Sequence, residues 1–236
     1  MGVGTGFFVN DTTIITNDHV ISGGDINRIF VASPKLDAVV PVEVIARTGT
    51  ARPGSIDFAA LRGDFQGDTV SLPVTSAFGR LAHVIAAGYP IILNRANERF
   101  QRLVRDNDAS SAPLLSTTRG VVTSIQTRTD GVEVIAHDAE ISQGNSGGPL
   151  VDLCGRVVGV NTFISRDPNT QAVARYSLHA NELQAFLTEH GIDAEILEGP
   201  CRPQTVVSAA PAAPAPGTLA PQAQGDDAET APAPPE

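Results

Sequence analysis

Gln143-Gly144-Asn145-Ser146-Gly147-Gly148-Pro149-Leu150 is the stretch that decides the fold. A serine lies among glycines here, and the apolar run that follows is typical of a β-strand. Glycine lets the backbone form tight turns and approach a substrate closely. A serine held in such a turn can be exposed as a nucleophile, while neighbouring N–H groups can bind a developing oxyanion. Such a serine needs a base and an acid close to it in the folded chain.

Candidates for both groups precede the serine. His19 follows an apolar pair and a polar run, which indicates a strand that ends in a short turn. Asp57 is a lone carboxylate before the short apolar run 58–61. Asp18 is a rival acid, but adjacent residues of an extended chain point to opposite faces. We therefore expect Asp18 to be a turn or surface residue and Asp57 to be the partner of His19.

Four signatures carry a resemblance to a known family. They are Gly4-Thr5-Gly6-Phe7-Phe8, Thr16-Asn17-Asp18-His19-Val20, Asp57-Phe58-Ala59-Ala60-Leu61 and Gly144 to Leu150. The chain resembles the chymotrypsin-fold (trypsin-like) serine peptidases, and within them the bacterial HtrA/DegP-type branch. The resemblance covers roughly residues 2 to 192 and follows the family's order of motifs.

The resemblance implies acyl transfer to water. Ser146 would attack the scissile carbonyl, His19 would act as general base and then general acid, and Asp57 would hold the productive tautomer of His19. The backbone N–H groups of Gly144 and Ser146 would form the oxyanion hole. Neither a metal nor an organic cofactor is expected.

Two other functions remain open. A non-catalytic relative of the same fold could serve as a peptide-binding protein, although an intact triad disfavours it. The stretch around Ser146 also fits Gly-x-Ser-x-Gly, the nucleophile elbow of α/β-hydrolase esterases and lipases, with Asp152 or Asp167 and His179 or His190 as partners. That elbow requires a helix directly after the serine, whereas Pro149 and the apolar runs after it predict strands and turns.

The composition predicts an all-β fold. The chain has 22 glycines and is rich in Val, Ile and Thr, whereas aromatic residues supply only 5%. Strand candidates lie at 6–9, 13–16, 28–32, 39–46, 57–61, 84–87, 120–126, 132–136, 149–152, 156–163 and 173–178. The resemblance implies two six-stranded-type antiparallel β-barrels, the first over about 1–78 and the second over about 79–192. His19 and Asp57 would then belong to the first barrel and Ser146 to the second.

One helix is predicted near the end, with Asn181 as its cap and Gly191 as its stop. The polar stretch 94–112 predicts a surface loop. We expect a peptidase domain over 1–200 and a disordered Ala/Pro-rich tail over 203–236, with no room for a PDZ module. The chain starts at what resembles the family's second strand, so we expect an upstream strand to be missing.

The charge argues against some partners. The formal net charge is -10 and Lys35 is the only lysine, so nucleic acid and anionic membranes are poor candidates. No apolar stretch is long enough for a membrane span. Polypeptide substrates are the expected partners, and the oligomeric state is open.

Two cysteines leave the redox compartment open. Cys154 and Cys201 could pair, which would suit a periplasmic or secreted enzyme, or could remain free thiols. The family's usual habitat favours the cell envelope. A zinc site is not expected at this spacing.

The side-chain preference at the cleavage site is also open. In the family's fold the residue six positions before the serine, here Glu140, lies near the floor of the pocket for the side chain that precedes the cut. An inward carboxylate would favour Arg or Lys. Arg175 and Tyr176 lie on the predicted strand that should form a pocket wall, and Arg175 could neutralise Glu140.

Overall fold

A computed structural model describes residues 2–49 and 55–203. Residues 204–236, nearly all of the predicted tail, lie outside the described residues. The described chain contains eleven strands, so every predicted strand is present and the predicted all-β class is confirmed. None of the helices among these residues is long and apolar enough to cross a membrane.

The first sheet is built from the first five strands. They are β1 (Phe7–Asn10), β2 (Thr13–Thr16), β3 (Ile29–Val31), β4 (Val40–Arg47) and β5 (Ala59–Arg62). Their order in space is β1-β2-β5-β4-β3, and all pairs are antiparallel. The neighbouring strands β2 and β5 have nearly all their side chains buried, so they form the centre of this sheet's core. The sheet therefore has five strands among the described residues rather than the six that the resemblance implied.

The second sheet closes into a six-stranded antiparallel barrel, as predicted. Its strands are β6 (His83–Gly88), β7 (Ser116–Thr127), β8 (Glu133–His137), β9 (Pro149–Asp152), β10 (Val157–Arg166) and β11 (Val173–His179). Their order around the barrel is β10-β11-β8-β7-β6-β9. Aliphatic side chains such as Val122, Ile135 and Leu150 fill its interior without exposure to solvent.

Four α-helices among the described residues join or follow the strands. They are α1 (Asp18–Ser22), α2 (Ile91–Asn94), α3 (Glu98–Asp106) and α4 (Ala180–Glu189). The predicted surface loop at 94–112 was wrong, because this stretch contains α3 and a 3-10 turn, each capped by an Asn or Asp side chain. No side chain of α3 is buried, although Phe100, Leu103 and Val104 have the i, i+3, i+4 spacing of an amphipathic helix.

The C-terminal helix α4 is present as predicted, but its cap differs from the prediction. His179, not Asn181, is the N-cap, since its Nδ1 accepts a hydrogen bond from the backbone N–H of Asn181 at 3.0 Å. The side chain of Asn181 instead donates to Glu133. Leu183, Phe186 and Leu187 pack α4 into the largest core cluster.

Candidate active site

His19 is carried by α1, which begins directly after β2. Asn17 lies between β2 and α1. Its buried side-chain amide donates to Asp57 O at 2.7 Å and to Thr162 Oγ1 at 3.2 Å. Asn17 thus connects the two segments that bear His19 and Asp57 with strand β10 of the barrel. Its place in the Thr16–Val20 signature was visible in the sequence, but its partners were not.

Asp57 lies just before β5 and binds His19 at two points. One carboxylate oxygen accepts the backbone N–H of His19 at 2.9 Å, and the other lies 2.5 Å from His19 Nδ1. Because an ionised carboxylate only accepts hydrogen bonds, this contact assigns the Nδ1 proton to the ring. Nε2 is therefore left as the basic nitrogen. Asp57 is buried, whereas the His19 side chain is 37% exposed.

Ser146 lies in the loop between β8 and β9. Its hydroxyl donates to the backbone carbonyl of Thr162 at a long 3.4 Å. The described residues show no hydrogen bond between Ser146 and His19 in this rotamer. Catalytic hydrogen bonds are often loose without substrate and tighten when it binds. A weak bond to Thr162 leaves the hydroxyl readily released for that change.

The loop before Ser146 is anchored at Gln143 and has a backbone conformation at Gly144 that requires glycine. Gln143 O accepts the backbone N–H of Ile91 at 2.8 Å, so this peptide directs its own N–H, which belongs to Gly144, the opposite way. Among the described residues the N–H groups of Gly144 and Ser146 have no acceptor. Gly144 has a φ of +99°, and an added Cβ would collide with Tyr89 O, so glycine is required.

A cavity of about 220 Å³ adjoins Ser146. It is lined by Ile141, Ser142, Gln143, Ser146, Thr162, Phe163 and Ile164. Three of these side chains are apolar and large, so the cavity offers mainly hydrocarbon to an incoming side chain.

The three residues predicted to form the substrate pocket lie beside this cavity lining rather than within it. The Glu140 side chain is 79% exposed and lies 3.5 Å from Arg175. Tyr176 stacks on Phe163, one of the lining residues, with ring centroids 4.7 Å apart. Tyr176 therefore packs beside the lining residue Phe163, while the exposed Glu140 pairs with Arg175, whose side chain is only 22% exposed.

Asp18 was expected to be a turn or surface residue; the chain does turn there, but the expectation of a surface position was wrong. The residue is fully buried, because the chain turns into α1 at Asp18 and the alternation of an extended chain ends there. Its carboxylate pairs with Arg47 of β4 at 2.9 Å and not with His19. The backbone turn and the ion pair both depend on distant residues, which the local sequence does not reveal.

Cys154 and Cys201 form a disulfide across 47 residues. It ties the segment that follows α4 to the turn between β9 and β10. Asp152 is the third member of the one group of metal-ligating residue types found among residues 2–49 and 55–203. Its carboxylate already pairs with Arg156, and both sulfurs are in the disulfide. This group is therefore a structural cross-link.

The comparisons with known proteins agree with this geometry. Residues 4–160 match the family model of the trypsin-like peptidase domain. The chain is 31% identical over 185 residues to the serine protease Do-like HtrA of Lactobacillus helveticus, covering 75% of this chain and 39% of that protein. It is 35% identical over 167 residues to the mitochondrial serine protease HTRA2 of Bos taurus, covering 68% of this chain and 31% of that protein. The chain thus spans about a third of the length of these relatives.

A solved structure shares the fold. The HtrA-type protease AlgW with decapeptide superposes with a TM-score of 0.57 at 23% identity, over 80% of this chain and 52% of that one. The α/β-hydrolase alternative is wrong, because strand β9 and not a helix follows Ser146 and both sheets are antiparallel. The family match over residues 4–160 and the two sheets together establish that the chain belongs to the trypsin-like peptidase domain family.

Proposed function

We propose that this chain is a serine endopeptidase whose triad is Ser146, His19 and Asp57. The observation that carries the proposal is the two-point hydrogen bonding between Asp57 and His19. It fixes the position and the tautomer of the imidazole, so that Nε2 can take a proton. A histidine used only in packing would not need a buried carboxylate that binds both its ring and its backbone N–H.

The reaction follows from these positions. Ser146 Oγ adds to the scissile carbonyl carbon while its proton passes to His19 Nε2, and the N–H groups of Gly144 and Ser146 bind the oxyanion. The C–N bond then breaks and the leaving amine takes the proton from His19. Water repeats both steps on the acyl-enzyme and releases the acid.

The cavity beside Ser146 supports a preference for an aliphatic side chain before the cleaved bond. Its lining by Ile141, Phe163 and Ile164 favours burial of hydrocarbon. A basic side chain would require an unpaired carboxylate in the cavity, and Glu140 is exposed and paired with Arg175. We therefore favour the aliphatic preference over the basic one.

The disulfide supports action outside the reducing cytosol, in the periplasm or after secretion. We also propose that residues 1–200 act as one peptidase unit, with the active site between the segments of the first sheet and the second barrel. We expect the substrates to be unfolded or extended polypeptides, since the cleft must accommodate a peptide backbone beside Ser146.

A fluorophosphonate probe tests the proposal, since it labels only an activated serine. The wild type should be labelled at Ser146, as mapped by mass spectrometry, while Ser146→Ala and His19→Ala should lose labelling. Ser165→Ala and His83→Ala change an exposed serine and an exposed histidine away from the triad and serve as matched controls. Both should be labelled like the wild type.

The opposite outcome would favour the other function of this fold. No labelling of a folded wild-type protein, with extended peptides still bound, would contradict the peptidase and indicate a non-catalytic peptide-binding protein. Labelling that survives His19→Ala would show that His19 is not the base.

A further inference from the structure

Thr5 lies between the two glycines of the Gly4-Thr5-Gly6-Phe7 signature, and the structure gives it four hydrogen bonds. The residue is 3% exposed and precedes β1. Its backbone N–H donates to Ser146 O at 2.9 Å, and its backbone carbonyl accepts Thr16 Oγ1 at 2.7 Å. One residue thus binds the nucleophile and the strand end that leads to His19.

The side-chain hydroxyl of Thr5 makes the other two bonds. It donates to Gly144 O at 2.7 Å and accepts the backbone N–H of Tyr89 at 3.0 Å. Because the hydroxyl accepts from the N–H of Tyr89, its own proton points towards Gly144 O. The β-branched side chain also restricts χ1, so the hydroxyl is fixed with little loss of further rotamer freedom.

These contacts hold the two residues whose N–H groups face the oxyanion. Thr5 binds the carbonyl of Gly144 and the carbonyl of Ser146, and the N–H groups of the same two residues remain without an acceptor among the described residues. Two further outside anchors of the loop are Ile91, which donates to Gln143 O, and Asn161, whose carbonyl accepts the N–H of Gly147. Oxyanion stabilisation depends on donors that are oriented before the reaction, so an anchor of this loop acts on the rate.

The space around Thr5 leaves no easy substitute for the hydroxyl. A Cβ at Gly88 would lie 3.0 Å from Thr5 Oγ1, and one at Gly148 would lie 3.0 Å from Thr5 Cγ2. The backbone of Gly88 and of Gly148 therefore packs closely against the Thr5 side chain. Without the hydroxyl, Gly144 O and Tyr89 N would each lose this partner in a buried site, and the loop would gain freedom.

We propose that Thr5 is a positioning residue that holds the oxyanion loop in its productive shape through the hydroxyl bond to Gly144. This inference rests on the proposed peptidase function. Thr5 touches no reacting atom; it acts through the N–H groups of Gly144 and Ser146. Its effect should therefore fall on kcat and leave KM nearly unchanged, because the hole is used only once the oxyanion develops.

The test compares the purified full chain with its Thr5→Ala and Thr5→Ser variants on a peptidyl-valyl p-nitroanilide. Thr5→Ala should lower kcat about 10- to 100-fold, somewhat less than removal of an oxyanion donor itself, with KM changed less than about twofold. Thr5→Ser keeps the hydroxyl and should stay within about threefold of the wild type. Thr123→Ala is the matched control, since it removes a threonine hydroxyl bond to the Ala136 carbonyl on an exposed strand face; its kcat should not change.

Thermal unfolding of each variant separates a rate effect from loss of fold. A wild-type kcat in Thr5→Ala overturns the inference. So does a Thr5→Ser variant with a kcat loss of tenfold or more, because packing of the methyl group and not the hydroxyl would then matter; this result stands even if Thr5→Ala does not fold. If the wild-type chain does not hydrolyse the substrate, or if its hydrolysis persists in Ser146→Ala, the proposed function itself is overturned, whatever the Thr5 variants do.

Discussion

Asp18 directly precedes His19, and its carboxylate lies 2.9 Å from the guanidinium of Arg47. Asp18 is fully buried, while Arg47 reaches it from β4 with its side chain about one third exposed. Ser22 Oγ links the two, since it donates to Asp18 and accepts from Arg47. The pair therefore fixes α1, and with it His19, against the first sheet.

Arg47→Ala should destabilise the protein, because it leaves a buried carboxylate that has one oxygen without a hydrogen-bond partner already. We expect the free energy of unfolding to fall by about 2–3 kcal/mol. Adding Asp18→Asn to Arg47→Ala should recover part of the loss, since the buried charge is then removed. Urea unfolding of the single and double variants measures both effects.

A surface pair provides the control for this comparison. Lys35→Ala breaks the exposed Lys35–Asp68 pair and should leave the unfolding midpoint unchanged. An Arg47→Ala protein as stable as the Lys35→Ala protein would refute a structural role for the Asp18 pair.

Local sequence predicted the strands and the order of motifs, because both depend on short-range pattern. It did not predict that the Asp18 side chain is buried, because the alternation of an extended chain was assumed to continue into a segment that is helical. It also could not reveal the bond between Thr5 and Gly144, whose residues are 139 positions apart. Contacts of this kind appear only when two sheets bring distant loops together, and they are the contacts that shape the oxyanion loop.

The cavity lining predicts which peptides are cleaved. A peptidyl-valyl p-nitroanilide should have a kcat/KM at least about tenfold above that of its arginyl counterpart, since burial of an apolar side chain gains about 1.5–3 kcal/mol. Glu140→Gln should leave this ratio within about twofold, because Glu140 is exposed and lies outside the cavity lining. An arginyl preference that disappears in Glu140→Gln would instead assign Glu140 to substrate recognition.

The disulfide should stabilise the fold without acting on the chemistry. Cys154 lies at the end of β9 that is remote from Ser146, so Cys154→Ser with Cys201→Ser should retain kcat on the valyl substrate. Opening the 47-residue cross-link should lower the free energy of unfolding by about 2–4 kcal/mol. Dithiothreitol should lower the stability of the wild type in the same way and have no effect on the double variant; equal stability of all samples would contradict the cross-link.

His137 makes the stability depend on pH. Its pKa is lowered from the ordinary value of 6.5 to about 4, chiefly by burial and also by nearby Arg175, against the opposite effects of Ala139 and Asp138. Its Nε2 lies 3.1 Å from Ser177 Oγ, so the folded protein holds a neutral imidazole in a buried polar contact. The unfolded chain takes up the proton at higher pH than the folded chain does. The stabilisation is therefore complete above about pH 6.5 and is lost as the pH falls towards 4.

His137→Gln should reduce this loss, because glutamine can bond to Ser177 but does not titrate. Between about pH 7.5 and about pH 5 the wild type should lose about 2 kcal/mol more unfolding free energy than His137→Gln does. Burial also lowers the pKa of His179, so His179 adds a loss of stability at low pH that is the same in both proteins. His83→Gln replaces an exposed histidine and should follow the wild type at each pH. Urea unfolding at the two pH values measures the difference, and identical pH dependence of wild type and His137→Gln would mean that His137 is already protonated in the folded protein or reached by water.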